Sequence, residues 1–125
     1  MESAFELCNN IESFSFNSDL DTSELISMKK AFSYCKKLES ISFNKFDLSK
    51  VKDISYMLEG TGLYKFTPGI FDLNSVETKS SLFHSCHNLH KVIFSKTNSI
   101  NLKNISYMFS GCINLDSLDI SGINT

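Results

Sequence analysis

The chain contains no arginine; all twelve of its basic residues are lysines, and the net charge is −2. Arginine forks are the usual readers of guanine and phosphate, so their absence argues against nucleic-acid recognition. No run or stripe of lysines takes their place. Tryptophan and glutamine are also missing. No stretch approaches the ~20 apolar residues that span a bilayer. Met1-Glu2-Ser3-Ala4 carries no basic region, apolar core or cleavage pattern of a secretory signal. There is no Cys-x-x-Cys pair to suggest a zinc site, and no glycine-rich loop to cradle phosphate. No cofactor is implied.

What the chain does have is internal repetition. Phe5, Phe32, Leu58, Phe83 and Phe109 stand in one column, at spacings of 27, 26, 25 and 26 residues. Three residues after each anchor come Cys8, Cys35, Thr61, Cys86 and Cys112. Then follows an apolar triplet spaced Leu-x-x-Leu-x-Leu: Ile11/Phe14/Phe16, Leu38/Ile41/Phe43, Leu89/Val92/Phe94 and Leu115/Leu118/Ile120. A period in this range marks a solenoid, in which each unit buries its apolar face only by stacking on its neighbours. The chain begins and ends inside a unit, and no polar cap is visible. It is expected to be one domain over 1–125, either a segment of a longer array or one with uncapped ends open to self-association.

Within a unit, Val51, Ile54, Met57 and Leu58 recur as Leu25/Met28/Ala31/Phe32 and Leu102/Ile105/Met108/Phe109. Val76/Leu82/Phe83 follow the same columns, with Lys79 as the exception. Steps of three, three and one fit one face of a helix. That predicts a short helix of two to three turns, ending near Gly60, Ser85 or Gly111. In Leu38-Glu39-Ser40-Ile41-Ser42-Phe43 the apolar residues alternate with polar ones, as in a strand with one buried face. Turns such as Leu20-Asp21-Thr22-Ser23 and Phe46-Asp47-Leu48-Ser49 offer Asp and Ser side chains to nearby backbone. The core should contain Phe32, Leu38, Ile41, Phe43, Met108, Phe109, Leu115 and Leu118, with Glu39, Ser40 and Ser42 exposed. The third unit departs from the pattern. It is one residue short between Leu58 and Leu63, and Pro68 should stop or bend its strand at Thr67. The fourth carries an insertion-like stretch from Lys96 to Ile100.

The segment Ile105-Ser106-Tyr107-Met108-Phe109-Ser110-Gly111-Cys112-Ile113-Asn114-Leu115-Asp116-Ser117-Leu118-Asp119-Ile120-Ser121 closely resembles the consensus of the BspA-like bacterial surface leucine-rich repeats. Ile54-Ser55-Tyr56-Met57 and Phe46-Asp47-Leu48-Ser49-Lys50-Val51 resemble the other half of that unit. The resemblance implies an α/β leucine-rich-repeat solenoid of about five strand-turn-helix units, with a parallel sheet on the concave side. It also implies a surface or secreted protein engaged in adhesion or host contact. An intracellular scaffold or effector on the same fold is the alternative, since the chain shows no signal peptide and a cytoplasmic location would suit reduced thiols.

The four cysteines share one repeat position, which predicts a column of buried free thiols. Bridges Cys8–Cys35 and Cys86–Cys112 are the competing reading, because adjacent strands lie about 4.8 Å apart. His84, His87 and His90 would converge on a metal only along a continuous helix, and they straddle a helix exit and a strand. No nucleophile, base and orienter assemble, so no catalytic residue is assigned. The outward strand positions give Glu12/Ser13/Ser15, Glu39/Ser40/Ser42, Tyr64/Lys65/Thr67, His90/Lys91/Ile93 and Asp116/Ser117/Asp119. Tyr64, Lys65, His90, Lys91 and Ile93 form the one mixed aromatic, apolar and basic group, framed by acidic strands. They are the candidate partner-binding residues, for an unidentified protein or cell-surface ligand.

Overall fold

The structure is a computed structural model that describes residues 1–15, 20–44, 46–67, 73–94 and 103–121. Its strands are β1 (Ser13–Ser15), β2 (Ser40–Ser42), β3 (Lys65–Phe66), β4 (Lys91–Ile93) and β5 (Ser117–Asp119). Each belongs to one repeat unit. β1 pairs with β2, and β3, β4 and β5 form a second sheet, all in parallel. The register is one unit: Phe14 faces Ile41, and Phe66, Val92 and Leu118 align. β2 and β3 are neighbours without a ladder between them. β3 ends at Phe66, one residue before the expected limit at Thr67; Pro68 and the 96–100 stretch lie outside the described residues. So does Phe16 of the first triplet.

The expected helices are not there. Among the described residues no helix forms, so the chain is not a strand-turn-helix leucine-rich-repeat solenoid. The segment around each anchor is a run of linked turns. The residues two before and two after the anchor have positive φ in every unit: Ser3 and Leu7, Lys30 and Tyr34, Tyr56 and Gly60, Ser81 and Ser85, Tyr107 and Gly111. A left-handed residue every fourth position is incompatible with an α-helix. The predicted exits at Gly60, Ser85 and Gly111 are left-handed turns, but there is no helix for them to end.

Backbone hydrogen bonds explain the choice. In the second unit Ala31, Ser33 and Cys35 donate to carbonyls three residues back, which closes the turns. The intervening amides of Met28, Lys30, Phe32 and Tyr34 donate to Asp53, Ser55, Met57 and Glu59 of the next unit, at 2.7–3.0 Å. The third unit does the same toward Thr78, Ser80, Leu82 and His84, and the fourth toward Asn104, Ser106, Met108 and Ser110. A helix would keep these donors to itself. Here half of them tie one unit to the next. Each non-glycine left-handed residue costs ~1–2 kcal/mol. About 1 kcal/mol per cross-unit bond, and ~1.5–3 kcal/mol per fully buried anchor side chain, offset that cost.

The core is the stack of anchors and strand residues. Phe5 stacks on Phe32 at 5.2 Å and 11°, and Phe83 on Phe109 at 5.6 Å and 4°. Phe14 and Phe66 meet the inner rings edge-on, at 4.8 and 4.9 Å. Phe32, Leu38, Phe43 and Met108 are buried as expected. Ile41, Phe109 and Leu115 are only half-buried, and Leu118 is 44% exposed, against expectation. The reason is position. The inner units are covered from both sides, whereas nothing among the described residues covers the far side of the fifth unit, which holds Phe109, Leu115 and Leu118; Ile41 lies on β2, which has no ladder to β3. Glu39 and Ser40 are exposed, but Ser42 is half-buried. Asp21 and Asp47 accept hydrogen bonds from the amides of Ser23 and Ser49, both at 2.9 Å. Hydrogen bonds from those serines hold both carboxyls below the usual range. These aspartates shape turns, though no helix follows them.

The cysteine column has a similar structural role. All four cysteines are free; Cys35 and Cys86 are buried as expected, whereas Cys8 and Cys112 are only half-buried. The thiols of Cys35, Cys86 and Cys112 donate to the carbonyls of Phe5, Leu58 and Phe83, the anchors of the preceding units, at 2.9–3.0 Å. Burial raises the pKa of all three, and that of Cys86 reaches about 11. The thiolate is the nucleophile, so a rise from the ordinary 9.0 to about 11 leaves about a hundredth of the usual thiolate near neutral pH. Iodoacetamide at pH 8 should therefore modify native Cys86 at least about a hundredfold more slowly than the same residue in urea. Denatured, unreduced protein should take up four labels; two or fewer would establish bridges.

Candidate functional site

Stacking in one-unit register brings equivalent side chains into rows. The row just ahead of the strands reads Glu12, Glu39, Tyr64, His90 and Asp116. Its members are placed by backbone bonds from Glu39 to Glu12, from His90 to Tyr64 and from Asp116 to His90. The Tyr64 ring lies 4.6 Å from that of His90, at 34°. His90 Nδ1 is 3.4 Å from the Asp116 carboxylate. One step along, Lys65 is in register with Lys91, and Ile93 with Asp119. Tyr64 is 62% exposed and Lys65 is exposed, while His90, Lys91 and Ile93 are half-buried. The structure thus brings Tyr64, Lys65, His90, Lys91 and Ile93 together on two adjoining units, with acidic residues on both sides.

A polar cluster that the sequence reading passed over lies on the turn side. Glu59 is buried, and its carboxylate accepts from Ser33 Oγ at 3.0 Å and Tyr34 OH at 3.2 Å, and meets His84 Nδ1 at 3.0 Å. The nearby charge of Glu59 raises the Tyr34 phenol above its ordinary pKa. Ser85 Oγ is 3.4 Å from the same nitrogen of His84. A relay needs the serine and the carboxylate on opposite ring nitrogens. Both sit on one, so the cluster braces three units and sets up no nucleophile.

Beside it is an open hollow of about 430 Å³, lined by residues that include Tyr34, Lys36, Gly60, Gly62 and His87. Its floor is glycine for a reason. A Cβ at Gly60 would stand 2.6 Å from the Tyr34 ring, and one at Gly62 would run into the Lys36 carbonyl. The signal was present in the sequence: Gly60 and Gly62 occupy columns that hold Tyr34 and Lys36 in the unit before.

The three histidines go separate ways. His84 meets Glu59, His90 meets Tyr64 and Asp116, and His87 lies at the hollow. Among the described residues, no three His, Cys, Asp or Glu side chains are grouped to hold a metal ion. Among the described residues there is also no helix long and apolar enough to cross a membrane.

Residues 65–125, just under half of the chain, match a family described as Mycoplasma protein of unknown function, DUF285. That segment contains β3, β4 and β5, and with them every candidate binding residue but Tyr64. No curated protein and no solved structure matches the chain.

Proposed function

We propose that the chain is a non-catalytic interaction module of a surface or secreted protein, meeting a protein or cell-surface partner through Tyr64, Lys65, His90, Lys91 and Ile93. The observation that carries this reading is the exposed Tyr64 ring packed on His90, beside the paired Lys65 and Lys91. An aromatic already held by a neighbour loses little freedom on binding, and tyrosine is enriched at interface hot spots. The surface setting comes from the motif resemblance.

The area constrains the mode. Five strands of about three residues, ~4.8 Å apart and ~3.3 Å per residue, give a face of roughly 24 by 10 Å. A standard interface takes ~800 Å² per partner. The partner must therefore also touch the turns, or weak contacts must be multiplied along several copies. Replacing Tyr64 and Lys91 together by alanine should weaken partner binding by at least about tenfold in a surface-plasmon measurement. Lys29→Ala with Lys103→Ala, both exposed on the turn side, should leave it unchanged. Equal loss from both pairs would end the strand-face reading.

A further inference from the structure

The third unit is the thin one. Gly60 stands two residues past its anchor and Gly62 four past it, and the next position of the repeat is missing altogether. The second unit holds Tyr34, Lys36 and Lys37 at those places, and the fourth holds Ser85, His87 and Asn88. Side chains therefore stand on both sides of a gap one unit wide, and that gap is the hollow of about 430 Å³. Its volume lies in the range of small-molecule sites, ~300–1,000 Å³. At ~4.8 Å per unit the backbones of the two walls are roughly 9.6 Å apart. That leaves room for a single ring between the side chains.

The deletion also strands an amide. In the fifth unit Asn114 donates at 2.7 Å to the carbonyl of His87, four past the anchor of the unit before. The same rule would send Asn88 to Gly62, but the shortened loop breaks the register. Asn88 has no hydrogen-bond partner among the described residues. Lys36 is a similar case. Lys30, Lys50 and Lys52 each meet a carboxylate of an adjacent unit, whereas Lys36 pairs with none among the described residues. Both Lys36 and Asn88 line the hollow and are exposed.

No carboxylate lines the hollow. Glu59, next to Gly60 in the chain, is buried and taken up by Ser33, Tyr34 and His84. Tyr34 lies against Gly60 and is tied at its hydroxyl to Glu59, so its ring is a fixed wall. One aromatic surface, one free ammonium and one free amide thus face the same space.

We propose that this notch is a second binding site, separate from the strand row, and that it takes a sugar carrying a carboxylate. The C–H face of the ring packs on Tyr34, and the carboxylate meets the Lys36 ammonium. The Asn88 amide, donor and acceptor at once, serves the hydroxyls. The bond to Lys36 is charge-assisted and about twice as strong as a neutral one, so it separates acidic sugars from neutral ones.

The test is a titration of the full chain with sodium glucuronate, followed by amide chemical shifts. Gly60, Gly62 and Asn88 should shift saturably, with a Kd on the order of 1 mM for so small a ligand in an open site. Glucose lacks the charge and acetate lacks the ring; each should bind at least about tenfold more weakly. Lys36→Ala should weaken glucuronate by at least about tenfold and Asn88→Ala by about threefold to tenfold. Both side chains are exposed, so the fold should tolerate their loss. Lys29→Ala, on the turn side away from the notch, should change nothing. Absence of saturable shifts at those three amides, even about tenfold above the expected Kd, overturns the site. Glucose binding as well as glucuronate overturns the role of charge, and acetate binding as well overturns the role of the ring. Glucuronate affinity unchanged in both Lys36→Ala and Asn88→Ala would place the sugar elsewhere on the chain.

Discussion

Phe83→Ala should destabilise the protein by about 3–5 kcal/mol, the usual cost of truncating a buried aromatic. Phe83 is fully buried and holds the second sheet to the turn stack. Phe66 meets its ring at 4.9 Å and 66°, and Phe109 lies parallel to it at 5.6 Å. Its amide also donates to Met108 and its carbonyl accepts the thiol of Cys112. Removing the ring leaves a void against three units, each fixed by backbone bonds that resist collapse. Domains have ~5–15 kcal/mol of stability, so the variant should be close to unfolded in a urea titration. Phe109→Ala makes the internal comparison. One side of that ring is already open, so the loss should be clearly smaller. Equal midpoints for the two variants would mean that Phe109 is covered as fully as Phe83.

Much of this arrangement could be read from the residues, because period and alternation survive any choice of backbone. The pairing of Phe66 with Val92 and Leu118, and of Lys65 with Lys91, follows from a one-unit offset alone. The cysteine column follows likewise. What failed was the identity of the segment around the anchors. Apolar steps of three, three and one suit one face of a helix. They suit a chain of turns equally well, since residues three apart again fall on one side. The deciding feature is the left-handed residue on either side of each anchor. Lys30, Tyr34, Tyr56 and Ser81 give no hint of it by type; Gly60 and Gly111 do, and they suit a helix exit as readily.

The candidate site divides in the same way. Tyr64 and His90 could be placed side by side from the repeat, including the one-residue deletion that shifts Tyr64 by a column. Glu59 could not. Its column holds Glu6, Ser33, His84 and Ser110 in the other units, a polar series that suits a solvated face. Only cross-unit stacking turns that series inward, where Ser33, Tyr34 and His84 satisfy the carboxylate.

Replacing Lys79 by methionine should stabilise the protein by about 1–3 kcal/mol, as exchanging buried charge for packed apolar volume commonly does. Lys79 interrupts a column that is Met28, Ile54 and Ile105 in other units, and it is fully buried. Its ammonium donates to the carbonyl of Val76, and no carboxylate pairs with it among the described residues. One neutral acceptor does not replace the water that a charge loses on burial. Burial accordingly lowers its pKa from 10.5. Between the lowered folded value and 10.5 the unfolded chain binds more protons, so stability rises with pH across that window. Below the folded value the full cost of burying the charge is present; above 10.5 both states are neutral and it is gone. The advantage of Lys79→Met should therefore be largest at pH 7 and should shrink toward pH 10.5. Chemical denaturation of the pair at pH 7 and pH 10 checks the sign. A methionine variant less stable at pH 7, or an advantage that grows with pH, would mean that Lys79 is held charged by something other than the Val76 carbonyl.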